Sequence, residues 1–136
     1  MYKIKVFTIG KLKESWLHEG LAEYTKRLTP YMTIEWILAK NDKELTQLLE
    51  KVDTFTCLDP LGTLQTSEEF SLLVQENARL NLVIGGSDGI PTPLKARAKK
   101  LLSFSRLTFT HQMMRLILLE QLYRAIEISK GTNYHK

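Results

Sequence analysis

Three stretches of this 136-residue chain gather the residue types that could do chemistry. The first is Ile84-Gly85-Gly86-Ser87-Asp88-Gly89. Its three glycines free the backbone for positive φ and remove Cβ atoms, so a flat ligand could reach main-chain N–H and C=O groups. The spacing is not the i, i+2, i+5 glycine pattern of dinucleotide sites, and no Gly-Lys-Ser/Thr follows to make a phosphate loop. The same run also reads as a tight strand-to-helix turn. The second stretch, Leu58-Asp59-Pro60-Leu61-Gly62, ends an apolar run, and Asp-Pro favours a turn whatever the function. The third runs from Leu102 to Arg115 and holds Ser103, Ser105, Arg106, Thr108, Thr110 and His111. His111 is a candidate proton carrier, since an unperturbed imidazole titrates near neutral pH, or an ordinary helix-start residue. Arg106, Arg115 and Arg124 are candidates for phosphate or carboxylate contact, or plain surface charges. The pair Met113-Met114 suits packing better than ligand contact.

The elements that must position these stretches follow from periodicity. Residues 2–9, 32–38, 54–58, 81–84 and 104–109 read as strands, the first two by alternation. Residues 15–28 read as a helix whose Leu17, Leu21, Tyr24 and Leu28 share one face, with Ser15 able to cap its first turn and Pro30 beyond its end. Asp42 is placed to cap a helix carrying Leu45, Leu48, Leu49 and Val52. Thr66 with Glu69 forms a capping box for a helix through Ala78. Pro91 and Pro93 open a helix to about Leu102, and a last helix runs from about Gln112 to Ser129, with Gly131 at its C-terminal cap. Strands alternating with helices predict a largely parallel α/β sheet, one domain over residues 1–136. Ligands of such sheets bind beyond the carboxyl ends of the strands, where all three stretches fall.

Composition narrows the function classes. One cysteine, Cys57, forbids an internal disulfide, and with three scattered histidines it cannot build a zinc cluster, so no metal is expected. The opening Met1-Tyr2-Lys3-Ile4-Lys5 lacks the apolar run of a signal peptide, and no run nears the roughly 20 apolar residues of a membrane span. A cytoplasmic, soluble chain is expected. The net charge of +4 is uneven. Residues 1–90 carry 10 Lys/Arg against 13 Asp/Glu, whereas residues 91–136 carry 9 against 2. Such a basic segment attracts phosphate backbones, or is a solvated helix face. The last helix is apolar over more than one stripe, through Met114, Leu116, Ile117, Leu118, Leu119, Leu122, Tyr123, Ala125, Ile126 and Ile128. The excess points to a symmetric dimer or to a helix buried within one chain.

Together these stretches resemble the ribosomal RNA large-subunit methyltransferase H family, small members of the SPOUT (trefoil-knotted) methyltransferases. The resemblance is carried by Leu58-Asp59, by Ile84 to Gly89, and by Leu102-Ser103-Phe104-Ser105 with Thr108-Phe109-Thr110-His111. It continues through Gln112-Met113-Met114-Arg115, Leu119-Glu120-Gln121-Leu122-Tyr123-Arg124-Ala125 and the closing Tyr134-His135-Lys136. Lys3 to Val6, Ile9 to Lys13, Glu23-Tyr24 and Arg27-Leu28 match as well.

The resemblance implies a SPOUT-type sheet with helices on both faces, a knot in the C-terminal half and a homodimer. It implies transfer of a methyl group from S-adenosylmethionine to N3 of a pseudouridine in helix 69 of large-subunit rRNA, on the assembled ribosome. Leu58, Gly85 and the run Phe104, Ser105, Arg106, Leu107, Thr108 and Phe109 are implied to contact the cofactor. Tyr134 and His135 are implied near the target base, lent to a partner's site, with His135 the first choice of base and His111 the second. Arg115, Arg124 and Lys136 are the expected RNA contacts. Methyl transfer from a sulfonium needs no metal; the protein supplies orientation. The chain departs from the family pattern between its second strand and the Asp42 helix. It has only Ala39-Lys40-Asn41 there, where family members run about twenty residues longer. Two rivals remain: a SPOUT methyltransferase acting on another RNA or on a ribose 2′-hydroxyl, and a non-catalytic ribosome-binding protein.

Overall fold

The computed structural model describes residues 1–136. Ten elements alternate along it: β1 (Tyr2–Ile9), α1 (Ser15–Leu28), β2 (Met32–Ala39), α2 (Asp42–Glu50), β3 (Thr56–Leu64), α3 (Ser67–Glu76), β4 (Arg79–Ile84), α4 (Thr92–Arg97), β5 (Lys100–Ser103) and α5 (His111–Lys130). The strands form one sheet in the order β2-β1-β4-β3-β5, every pairing parallel. Parallel strands need crossover connections, and the helices supply them on both faces. Ile4, Val6, Leu82 and Leu58 face α1, α3 and α5, where Leu21, Phe70, Leu118, Leu119 and Leu122 complete the larger core. Phe7, Cys57 and Val83 face the other way, onto Leu45 and Leu49 of α2 and Leu94 of α4. Neighbours of opposite parity along each strand therefore feed two separate cores.

Most boundaries follow the sequence pattern, and the exceptions have local causes. The capping box of α3 forms: the Thr66 hydroxyl accepts from Glu69 N–H, and the Glu69 carboxylate accepts from Thr66 N–H. Helix α2 is capped by Asn41 rather than Asp42, and α1 begins after Glu14 without a side-chain cap from Ser15. Gly131 closes α5 at φ 71°, the left-handed conformation that glycine adopts without a Cβ penalty.

Two predicted elements differ more. Helix α4 ends at Arg97 instead of about Leu102, because Ala98 turns extended and Lys99 N–H pairs with the Phe55 carbonyl. The fifth strand is therefore Lys100–Ser103, and the predicted strand 104–109 is irregular. Its serines explain this. Ser103 Oγ donates to the Ser105 carbonyl, and Ser105 Oγ accepts from Leu107 N–H. Side chains that bond the local backbone compete with a sheet ladder.

Strand β3 is broken in register between Leu58 and Thr63. Asp59 tightens the excursion by accepting from Leu61 N–H at 2.8 Å, and Arg106 pins it by donating to the carbonyls of Pro60 and Gly62. Gly62 is required there for space: a Cβ would lie 2.6 Å from the Leu101 carbonyl carbon and oxygen.

Candidate functional site

The chain leaves β1 towards β2 at one edge and leaves β4 towards β5 at the other, so connections diverge between β1 and β4. Open α/β sheets bind ligands at such a switch point. A cavity of about 1040 Å³ lies there. Four segments wall it: Lys13 to Leu17 after β1, Leu58 to Pro60 in β3, Ile84 to Ile90 after β4, and Phe104 to Met114 after β5. Of the residues predicted to contact a cofactor, Leu58, Gly85, Phe104, Ser105, Leu107, Thr108 and Phe109 line it. The floor is fixed by packing, with Leu58, Ile84 and Ile90 buried and Phe104 edge-on to Phe70 at 4.9 Å.

Of the three glycines in the β4 turn, only Gly89 takes a positive φ, 83°. Gly85 answers a different need. A Cβ on it would sit 2.5 Å from the Gly89 carbonyl carbon and 2.7 Å from the Ile90 nitrogen, inside any real contact distance. Gly86 and Gly89 close the turn as an antiparallel bridge, Gly89 N–H donating to the Gly86 carbonyl at 3.0 Å. The run is thus a tight turn that also lines the cavity.

Arg106 does not line the cavity. Its guanidinium is spent on the β3 carbonyls of Pro60 and Gly62, so its part is to hold the excursion that carries Asp59 and Pro60 to the rim. These two lining residues were legible only as a turn. Asp59 is itself anchored by Lys95 at 3.2 Å.

Arg115 requires a second correction. It was expected on the surface against RNA, yet it is 2% exposed. Its Nη2 donates to the carbonyls of Ile9 (2.8 Å) and Gly10 (2.6 Å), and its guanidinium lies over the Trp36 ring at 6.0 Å. Two carbonyls at the carboxyl end of β1 are thus met by one terminal guanidinium nitrogen from α5, while the buried Nε has no partner. Gln112 extends the clamp, its amide donating to the Lys11 carbonyl at 2.9 Å and accepting from Lys13 N–H at 3.3 Å. The first turn of α5 thus fixes the loop that forms the Lys13 wall.

His111, the first residue of α5, lines the cavity. Burial, with the charges of Arg115 and Lys13 second and third, holds its imidazole below its ordinary pKa and so favours the neutral form. Tyr134 and His135 lie elsewhere. The tail folds back on α5 at Arg124, ten residues or about 15 Å of helix beyond Met114 at the cavity. Tyr134 donates to Glu120 at 2.8 Å and packs edge-on against Tyr123 at 4.9 Å. Burial first, then that carboxylate, pushes its phenol well above the usual range. Arg124 reaches Glu120 at 3.2 Å and donates to His135 Nδ1 at 3.0 Å, so His135 Nε2 carries the proton shared with Glu68 at 2.9 Å. Arg124 is thereby engaged within the chain, and Lys136 is exposed at the tail's end.

The matches to known proteins follow this geometry. A family model described as predicted SPOUT methyltransferase matches residues 2–135. The ribosomal RNA large subunit methyltransferase H of Protochlamydia amoebophila is 45% identical over 141 residues, covering all of both chains. The chain belongs to the ribosomal RNA large subunit methyltransferase H family of SPOUT methyltransferases. The proteins of that name from Streptococcus sanguinis and Bacillus cytotoxicus are 40% and 38% identical, each covering 98% of this chain and 99% of the relative. Those alignments run to 158 and 157 positions, so these relatives are longer than this methyltransferase, whereas the Protochlamydia relative is close to it in length. TrmJ from Z. mobilis shares the fold, with a TM-score of 0.52 at 8% identity, covering 91% of this chain and 69% of that one. No helix of the methyltransferase is long and apolar enough to cross a membrane.

Proposed function

We propose that this chain methylates N3 of a pseudouridine in helix 69 of large-subunit rRNA, using S-adenosylmethionine, as a cytoplasmic homodimer acting on the assembled ribosome. One observation carries the reading. Seven of the eight residues that the family resemblance assigns to the cofactor come from three separate segments and line a single cavity. That cavity suits a nucleoside-bearing cofactor: its floor is apolar, and main-chain groups of a glycine turn are at hand for hydrogen bonds. When bound, S-adenosylmethionine supplies an already activated methyl group.

This chain's own residues do the rest. Leu58, Ile84 and Phe104 exclude water from the floor. The Gly85–Gly89 turn offers backbone donors and acceptors to a ribose or an adenine edge. N3 of the target base carries a proton that must leave. His111, held neutral at the cavity wall, can accept it, and His135 is the alternative acceptor. The tail bearing Tyr134 and His135 is remote from the cavity of its own protomer. In this reading it therefore serves a partner's cavity across a two-fold axis. Tyr24, Leu116 and Tyr123 on α1 and α5 are only half-buried in the single chain, which supports an interface on that face. The knot expected in the C-terminal half belongs to the same reading, as does a single catalytic domain over residues 1–136.

Titration calorimetry of the purified protein with S-adenosylmethionine, with NAD as control, tests the cofactor assignment. Saturable binding of the methyl donor alone is expected. Tight ribosome binding without any donor binding would favour the non-catalytic alternative.

A further inference from the structure

We infer that Trp16, together with the Lys13–Glu14 segment beside it, forms the substrate wall of the cavity, with the indole stacking on the RNA base that is unpaired for methylation. The inference rests on the proposed function and names a contact that the cofactor assignment leaves open.

The cavity's size comes first. Pockets for one drug-sized ligand run about 300–1,000 Å³. At about 1040 Å³ this one lies at the top of that range. Its walls differ in character. The floor and the β4 side are apolar and glycine-rich, whereas the wall after β1 brings Lys13, Glu14 and Trp16.

Trp16 is 53% exposed although it is among the largest apolar side chains of the chain. Leu107, 70% exposed, and Phe109, 36% exposed, line the same cavity. Scattered exposed apolar residues need no explanation, but three converging on one cavity mouth mark a binding surface. Stacking of unpaired bases on aromatic rings is the common mode of single-stranded RNA recognition, and a neighbouring lysine suits a phosphate. The wall is also held rigid. Gln112 and Arg115 fix four backbone positions just before it, Ile9, Gly10, Lys11 and Lys13, so the indole is presented from a set position.

The test uses the full-length protein carrying Trp36→Phe, which leaves Trp16 as the single tryptophan. Titration with a helix 69 stem-loop RNA should quench its fluorescence saturably. Trp16→Ala should raise KM for ribosomes about tenfold, the scale of one lost base stack, while S-adenosylmethionine binding stays within twofold. Trp16→Phe should recover most of the loss. Unchanged fluorescence with an unchanged KM overturns the inference, and so does a loss of donor binding equal to the loss in KM, which would place Trp16 on the cofactor side. If the unsubstituted chain binds no S-adenosylmethionine, the proposed function fails instead, and fluorescence then still reports whether RNA meets Trp16.

Discussion

Replacing Arg115 by Met keeps most of the buried stem and removes the charge. Two hydrogen bonds from the guanidinium to the Ile9 and Gly10 carbonyls are lost, at 2.8 and 2.6 Å. Bonds from a charged donor contribute about 1.5–3 kcal/mol each, so the gross loss is about 3–6 kcal/mol. Burial already lowers the Arg115 pKa, so the cation carries a desolvation cost that the substitution relieves. A net loss of about 3 kcal/mol follows, which for a domain of this size lowers Tm by about 10 °C. Urea unfolding at one fixed protein concentration, with m unchanged, reads this directly. The same variant separates the clamp from the RNA role first expected of this residue. Loss of a phosphate contact would reduce the slope of log affinity against log salt by about one, with stability nearly untouched. Arg115→Met with wild-type stability and a reduced salt slope would refute the clamp.

Further outcomes follow from the same geometry. Gly85→Ala places a Cβ 2.5 Å from the Gly89 backbone, so the turn must shift; donor affinity should fall at least tenfold in calorimetry, and an unchanged Kd would show that the turn is not part of the site. His111 has a folded pKa below its ordinary 6.5, so the folded state binds fewer protons than the unfolded state. Its effect on stability is absent above about pH 6.5 and grows as a loss while pH falls through the folded pKa. His111→Gln should therefore flatten the stability–pH curve in that window, and an identical curve would contradict it. The Cys57 thiol is pushed up to about 12, by burial first and Asp59 second, so native protein should resist a thiol reagent at pH 8 that labels it fully in denaturant. His135→Ala should lower turnover far more than donor affinity; equal activity in both proteins would remove His135 from the reaction.

Much of this was legible in the sequence because local chemistry and global fold agree. Strand β1 and helix α1 have the predicted boundaries, and the Thr66–Glu69 capping box forms as its spacing requires. The glycine turn after β4 was readable because ligands of parallel sheets meet strand ends, whereas β3 runs on to Leu64, past the end expected at Leu58. What periodicity hid was competition at close range. Phe104, Thr108 and Phe109 are strand-favouring residues, but Ser103 and Ser105 bond their own backbone and leave the segment irregular at the cavity rim. Arg106, read as a cofactor contact, and Arg115, read as an RNA contact, instead hold backbone carbonyls, because a sequence does not show which carbonyls a tertiary fold leaves unpaired. Trp16 carries no signal in the sequence alone; its meaning comes from a cavity assembled by four distant segments. The tail's attachment to Glu68 and Arg124 likewise depends on α3 lying beside α5.

The reaction and its position are both written in the RNA product. Incubating the purified protein with S-adenosylmethionine and ribosomes that lack the modification, then digesting the rRNA for nucleoside mass spectrometry, tests them most directly. One new methyl group per large subunit is expected, on N3 of a pseudouridine recovered in the helix 69 fragment. A methyl group on a ribose 2′-hydroxyl, on another nucleoside or on no RNA at all would contradict the proposed function.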